Sequence, residues 1–341
     1  MTTHKERIQA AMNGEIIDHP PIALWRHFPV DDQSPESLAK ATLHFQQTYD
    51  FDLVKVTPAS SFCVKDWGVE DKWKGHTEGT REYTKRVIHD PRDWENLRAL
   101  DPTAPHLAGQ LNCLRLIRSG LSSETPLLQT VFSPLAQAKN LAGNETLLAH
   151  LRLYPEAVMK GLATIAETTR RFVEACLAIG IDGIFYAIQH AQASLLTLDE
   201  YKTFGIPNDL KVLKPSQEPW CNLLHLHGHD VYFSLLESFN FQIVNWHDRE
   251  TYPSLAEAQK HFNGVVCGGM RQDTLVYENQ VEVQKEAADA IQQTSGKRFI
   301  LGTGCVVPVI ANHGNIMAAK DIALSGVAQG ATKSKRGDEV K

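Results

Sequence analysis

Ala178-Ile179-Gly180-Ile181-Asp182-Gly183-Ile184-Phe185-Tyr186-Ala187-Ile188-Gln189-His190 is the stretch from which the fold is read. Upstream of it, Val158, Leu162, Ile165, Phe172, Cys176 and Ile179 fall close to a 3.6-residue stripe, which predicts an amphipathic helix from Pro155 stopped at Gly180. The apolar run Ile181 to Ile188 follows without a linker and predicts a buried strand. Its end turns polar at Gln189, His190 and Gln192. Helix, glycine, strand and polar loop form one unit, and the unit recurs in both directions along the chain.

Downstream, a helix is expected over Asp199 to Leu213, a strand over Trp220 to Leu226, and a helix over Val231 to Phe239. A strand from Phe241 to Trp246, a helix from Ser254 to His261 and a strand from Gly264 to Gly268 come next. The last units are a helix from about Glu278 to Thr294, a strand from Arg298 to Gly302 and a helix from Asn315 to Gly326. Upstream, a helix over residues 3 to 13 precedes a strand-like run from Pro20 to Phe28. A helix from Ser34 to Tyr49, with Ser-Pro-Glu at its start, leads into the strand Phe51 to Val56. The strand Pro126 to Phe132 and a helix around Ser133 to Ala142 complete the series.

The strands centre near residues 22, 53, 128, 184, 223, 243, 266 and 300. Parallel strands need crossovers, and helices then cover the sheet, so eight such alternations predict a (β/α)8 barrel. The 341 residues could hold two domains, but one barrel over 1–331 accommodates them, with 332–341 a frayed charged tail. One interruption is long: residues 57–125 hold β-prone residues with Trp67, Trp73 and Tyr83, and a helix over Ala104 to Ser119. An excursion of this length reads as a lid over a site. Its aromatics either cover a flat ligand or make a small satellite core. No Gly-x-Gly-x-x-Gly follows the first strand, which argues against dinucleotide binding.

Composition excludes other classes. A net charge of -6, with no dense basic run before the last ten residues, offers no footprint for nucleic acid or an anionic membrane. No run of about 18 apolar residues is present to span a bilayer, and a cytoplasmic location is expected. The six cysteines contain no Cys-x-x-Cys pair, so they predict reduced thiols rather than a disulfide framework or zinc ribbon.

A barrel gathers function at the C-terminal ends of its strands. Trp25, Arg26 and His27, Gln189 and His190, His225 and His227, His247 and Asp248, Arg271 and Asp273, and Cys305 all fall there. In Leu223-Leu224-His225-Leu226-His227-Gly228-His229-Asp230 the two-residue period of a strand points His225 and His227 to one face. They are either the start of a metal site or hydrogen-bonded pocket histidines. The barrel brings Cys305 to the same mouth, and two imidazoles with one thiolate suit Zn²⁺ with a fourth position open for substrate. His247 or Asp248 as a fourth ligand would close the site. Arg26 is either a cation for a substrate carboxylate or phosphate, or an end-of-strand arginine paired with a neighbouring acid. The other five cysteines read as small buried apolar residues.

These motifs resemble the uroporphyrinogen decarboxylase superfamily over the chain to about residue 327. The landmarks are Leu-Tyr-Pro-Glu (153–156), Ala-Ile-Gly-Ile-Asp-Gly-Ile (178–184), His-Leu-His-Gly (225–228), Ser-Leu-Ala-Glu-Ala (254–258), Cys-Gly-Gly-Met (267–270) and Leu-Gly-Thr-Gly-Cys-Val-Val-Pro (301–308). The resemblance implies a distorted (β/α)8 barrel, with a homodimer as a family-level expectation. The decarboxylases carry an arginine-rich segment after the first strand, an aspartate beyond the second and Gly-His-Gly near the end. Here those places read Leu-Trp-Arg-His-Phe-Pro-Val-Asp (24–31), Thr57-Pro58-Ala59 and Thr303-Gly304-Cys305. The corrinoid-linked methyltransferases of the superfamily are a closer resemblance, because they bind zinc through His-x-Cys after the fifth strand and a cysteine after the eighth. His225 and Cys305 match that pattern, whereas His227 stands where those enzymes have cysteine. Imidazole in place of thiolate leaves the complex less negative and the zinc a stronger Lewis acid, which suits an oxygen, nitrogen or folate acceptor.

The resemblance therefore implies zinc on His225, His227 and Cys305, and a corrinoid on a partner protein. It places Trp25, Arg26, Gln189 and Arg271 against a small-molecule substrate, and makes His190 and His247 the groups that orient it or move a proton. The rivals are a metal-free decarboxylase or lyase acting on a small carboxylic acid, and a non-catalytic corrinoid or tetrapyrrole carrier. The Asp-x-His-x-x-Gly motif of many corrinoid carriers is absent.

Overall fold

The computed structural model describes residues 2–215 and 218–325. In chain order the elements are α1 (His4–Asn13), α2 (Pro35–Tyr49), β1 (Val54–Val56), β2 (Glu70–Lys72), β3 (Glu82–Lys85), α3 (Asp93–Asn96), α4 (Pro105–Gly120), β4 (Leu127–Phe132), α5 (Pro134–Ala142), α6 (Asn144–Leu153), α7 (Pro155–Leu177), β5 (Gly183–Ile188), α8 (Leu198–Phe204), α9 (Ile206–Val212), β6 (Leu223–Leu226), β7 (Ile243–Trp246), α10 (Leu255–His261), β8 (Val265–Met270), α11 (Thr274–Tyr277), α12 (Gln280–Thr294), β9 (Phe299–Thr303) and α13 (His313–Ser325). The expected tail at 332–341, and residue 326 of the expected last helix, lie outside the described residues.

Seven strands form one parallel sheet in the order β1-β4-β5-β6-β7-β8-β9, curled into a barrel-like wall with the helices outside. Every residue of β4 to β9 is buried, as a sheet covered on both faces requires. The eighth strand is where sequence and structure part. Pro20 to Phe28 is not a regular strand: only Ile22 makes a bridge, to Leu301 of β9. Leu301 N–H donates to Pro21 O (2.8 Å), Ala23 N–H to Leu301 O (2.9 Å) and Asp52 N–H to Ile22 O (2.9 Å), so this short segment fills the gap between β9 and β1. Pro20 and Pro21 have no N–H to continue a ladder, and the Ile22 N–H goes to the Asp52 side chain instead.

Other boundaries shift for local reasons. The helix expected over 199–213 is two, α8 and α9, because Pro207 enters at the first turn of α9 and cannot donate back across Gly205. The helix expected over 231–239 is only a 3₁₀ segment, Phe233–Ser238. Within residues 57–125 an antiparallel hairpin of β2 and β3 stands apart from the sheet, and α4 is the crossover between β1 and β4. Arg81 ties the hairpin to the end of the first segment through Asp32 (2.6 Å) and Pro29 O. Among the described residues no helix is long and apolar enough to cross a membrane.

Candidate metal centre and substrate cavity

His225 is the penultimate residue of β6, and His227 follows the strand on the same face before Gly228 turns the chain at φ +101°. A side chain at 228 would also meet the Gln192 amide at about 2.1 Å, so only glycine lets the two loops cross there. His247 follows β7, and Cys305 follows β9 at a point where Gly304 presses against the His247 backbone. The geometry of the donors is specific. His225 Nε2 lies 3.4 Å from His227 Nδ1, and Cys305 Sγ lies 3.8 Å from each. With His247 included, one donor atom from each of the four residues falls within 4.8 Å of every other. A tetrahedral zinc with ordinary Zn–N and Zn–S bonds has edges of about 3.3 Å between nitrogens and about 3.6 Å between nitrogen and sulfur. The triangle of His225, His227 and Cys305 matches those edges with little adjustment.

Protonation states agree with ligation. Asn245, fully buried on β7, is the register partner of His225 on β6, so the two side chains share a face. Its Nδ2 donates to Cys267 O (2.8 Å) and Thr303 O (3.0 Å), which fixes the amide so that Oδ1 faces His225 Nδ1 at 2.7 Å. His225 must then carry its proton on Nδ1 and present a bare Nε2 to the other donors. Burial, with the neighbouring His227 and His247, pushes His225 well below the usual imidazole range. Burial and His247 push His227 down to about 3. His247 is also lowered by burial, against the pull of Glu250. Its Nδ1 lies 3.4 Å from Glu250 Oε2, and its buried Nε2 has no hydrogen-bond partner. Burial and the Glu78 charge raise the Cys305 thiol to about 11, so thiolate formation there requires a cation.

A cavity of about 230 Å³ opens beside these donors, and His225, His227 and Cys305 form part of its wall. Trp25 and Gln189 line it. Arg26 does not. Strand-like alternation turns Trp25 and His27 inward and Arg26 the other way, where its guanidinium lies 5.5 Å from the Phe28 ring. Arg271 is 46% exposed on the outer rim, 3.8 Å from Glu250 and 4.0 Å from Asp273, and is also off the cavity wall. His190 is fully buried behind the wall with neither ring nitrogen bonded. His247 brings one donor atom to within 4.8 Å of those of His225, His227 and Cys305.

Several wall residues were not foreseen. Lys55 interrupts the apolar triplet of β1, and Lys139 projects from α5. Burial lowers the Lys55 amine to about 7 and the Lys139 amine to about 8. Glu78 reaches the cavity from the 57–125 segment and accepts from Gln272 Nε2 at 3.0 Å. A charged residue inside an apolar strand was the available signal for Lys55.

Residues 3–323 match the family model described as Uroporphyrinogen decarboxylase (URO-D). The chain belongs to the uroporphyrinogen decarboxylase family. Among solved structures, this family member is similar to a methyltransferase from Methanosarcina mazei, with a TM-score of 0.81 at 17% identity over 95% of this chain and 98% of that one. It is also similar to a B12-independent methionine synthase from Shewanella sp. W3-18-1 in complex with selenomethionine, with a TM-score of 0.54 at 15% identity over 93% and 94% of the two chains. A third similarity is to a putative B12-independent methionine synthase from Listeria monocytogenes, with a TM-score of 0.51 at 10% identity over 92% and 96%. At these identities the likeness is one of fold. No curated protein matches the sequence. The barrel mouth of this family member holds a nitrogen and sulfur donor cluster at one side of a small cavity, and Arg26 does not line that cavity.

Proposed function

We propose that this family member is a zinc-dependent methyltransferase-like enzyme that moves a methyl group between a corrinoid on a partner protein and a small acceptor or donor. The observation that carries this reading is the donor triangle of His225 Nε2, His227 Nδ1 and Cys305 Sγ, with edges of 3.4, 3.8 and 3.8 Å. Zinc held by these residues would supply a Lewis acid that lowers the pKa of the acceptor group toward neutrality. Asn245 holds His225 in the ligating tautomer. Trp25, packed edge-on against Phe185 at 5.3 Å, forms an apolar wall that excludes water from the reacting end of the substrate. His247 would be the fourth donor, since one of its ring nitrogens lies within 4.8 Å of the other three donor atoms.

The cavity is smaller than the roughly 300–1,000 Å³ of drug-sized sites, which argues against a tetrapyrrole and for a small substrate. Its two amines also suit a metal-free decarboxylation of a small carboxylic acid, and activity surviving complete metal removal would select that reading. Metal analysis of the purified protein is the direct test. Stoichiometric zinc is expected in the wild type and lost in His225→Ala and Cys305→Ala. Zinc retained at full stoichiometry in both variants would overturn the site.

A further inference from the structure

Among the described residues, two lysines on this cavity wall have no carboxylate within ion-pair distance. Lys55 is 7% exposed, and its Nζ lies 4.3 Å from the centre of the Phe185 ring and 5.7 Å from that of Trp25. Among the described residues its Nζ makes no hydrogen bond or ion pair. Lys139 Nζ donates to Gln189 Oε1 at 2.8 Å, a neutral acceptor. The third cation on the wall differs: Arg81 is matched by Asp32 at 2.6 Å. The one acid on the wall, Glu78, comes from the 57–125 segment and accepts a hydrogen bond from Gln272.

A buried ammonium without a partner is destabilising, and a cation over a ring recovers only part of the lost hydration. Either position could hold methionine with the same reach and no such cost. Two lysines from different elements, β1 and α5, reach one cavity that also opens onto the donor cluster. An organic anion bound in that cavity would give these amines the charged partner they lack among the described residues, through charge-assisted hydrogen bonds.

We infer that Lys55 and Lys139 form the receptor for an anionic head group on the substrate, a carboxylate, sulfonate or phosphate on a small organic molecule. The opposite end of that molecule then faces His227 and Cys305. The assignment deepens the proposed function by naming the substrate class of the same site, and it rests on that reading only for which end of the molecule reacts. Lysine ammonium groups act as point charges, so the three anion types share one recognition chemistry and the experiment separates them.

The test uses metal-free, full-length protein, so that its outcome is independent of zinc. Acetate, methanesulfonate and methyl phosphate are titrated by saturation-transfer NMR in chloride-free buffer, with neutral dimethyl sulfone as the shape control. At least one anion is expected to bind saturably and the sulfone not at all. Lys55→Met and Lys139→Met should each weaken that anion by about tenfold or more, the usual worth of a hydrogen bond to a charged group. A thermal melt supplies a second readout. Without anion, Lys55→Met should melt no lower than wild type, because an unpaired buried charge has been removed; added anion should raise the wild-type midpoint more than that of the variant. Absence of binding by all three anions, equal binding of the sulfone, or unchanged binding in both variants would overturn the receptor. Loss of zinc stoichiometry in the metal analysis with anion binding intact would strike only the methyltransferase reading.

Discussion

Asn245 provides the sharpest separation between a metal site and a cluster of pocket histidines. Its amide is fixed by two backbone carbonyls, Cys267 O and Thr303 O, and through Oδ1 it forces the proton of His225 onto Nδ1. Asn245→Leu keeps the volume and removes the acceptor. The two imidazole tautomers are then close in energy, and one of them aims an N–H at the metal position. Loss of such an outer hydrogen bond typically lowers metal affinity by about 10–100-fold, or roughly 1.4–2.7 kcal/mol. The Nδ1–H of His225 also loses its buried partner, a further cost to the folded protein of about 1–3 kcal/mol. Asn245→Asp separates the two effects. It keeps an acceptor for His225, so zinc affinity should stay near wild type, but its second oxygen faces carbonyls at 2.8 and 3.0 Å and stability should fall. Competitive chelator titration reads the zinc affinity, and urea unfolding of the metal-free protein reads the stability. A folded Asn245→Leu variant that binds zinc as tightly as wild type would refute the role of the relay.

Two further predictions concern the frame. Gly304→Ala places a Cβ about 2.7 Å from His247 Cα and 3.1 Å from Trp246 O, backbone atoms that cannot move aside cheaply. Overpacking of this kind costs about 1–3 kcal/mol, and it should displace Cys305 as well, so both the urea midpoint and zinc affinity should drop; wild-type values for both would contradict the close approach. Asp209 accepts from Tyr186 and Tyr201, each at 2.6 Å, yet burial outweighs these hydrogen bonds and raises its carboxyl from 3.8 to about 7. The fold therefore holds that proton more tightly than the unfolded chain does, so stability falls as pH rises between about 4 and 7, by roughly 4 kcal/mol at most. Asp209→Asn should flatten that part of the stability profile, and an unchanged slope in urea unfolding across that range would exclude the residue as its source.

How much of this was legible beforehand differs from residue to residue. The strand cores at 128, 184, 223, 243, 266 and 300 all lie within sheet strands, because a fully buried parallel strand needs an unbroken apolar run and that run is local in sequence. Residues 20–28 are apolar too, yet two prolines withdraw the donors a ladder needs. The break in 199–213 is written in Gly205 and Pro207, where α8 ends and α9 begins.

At the site, the sequence alone determined that His225 and His227 share a face, since alternation along a strand requires only the chain itself. That Cys305 lies 3.8 Å from both was decided by tertiary structure, as was the place of Asn245 beside His225, because register between β6 and β7 joins residues 20 positions apart. The same holds for the cavity wall. Lys55 and Lys139 reach it and Arg26 does not, because direction relative to a closed barrel depends on how the sheet curls, and no local pattern carries that information.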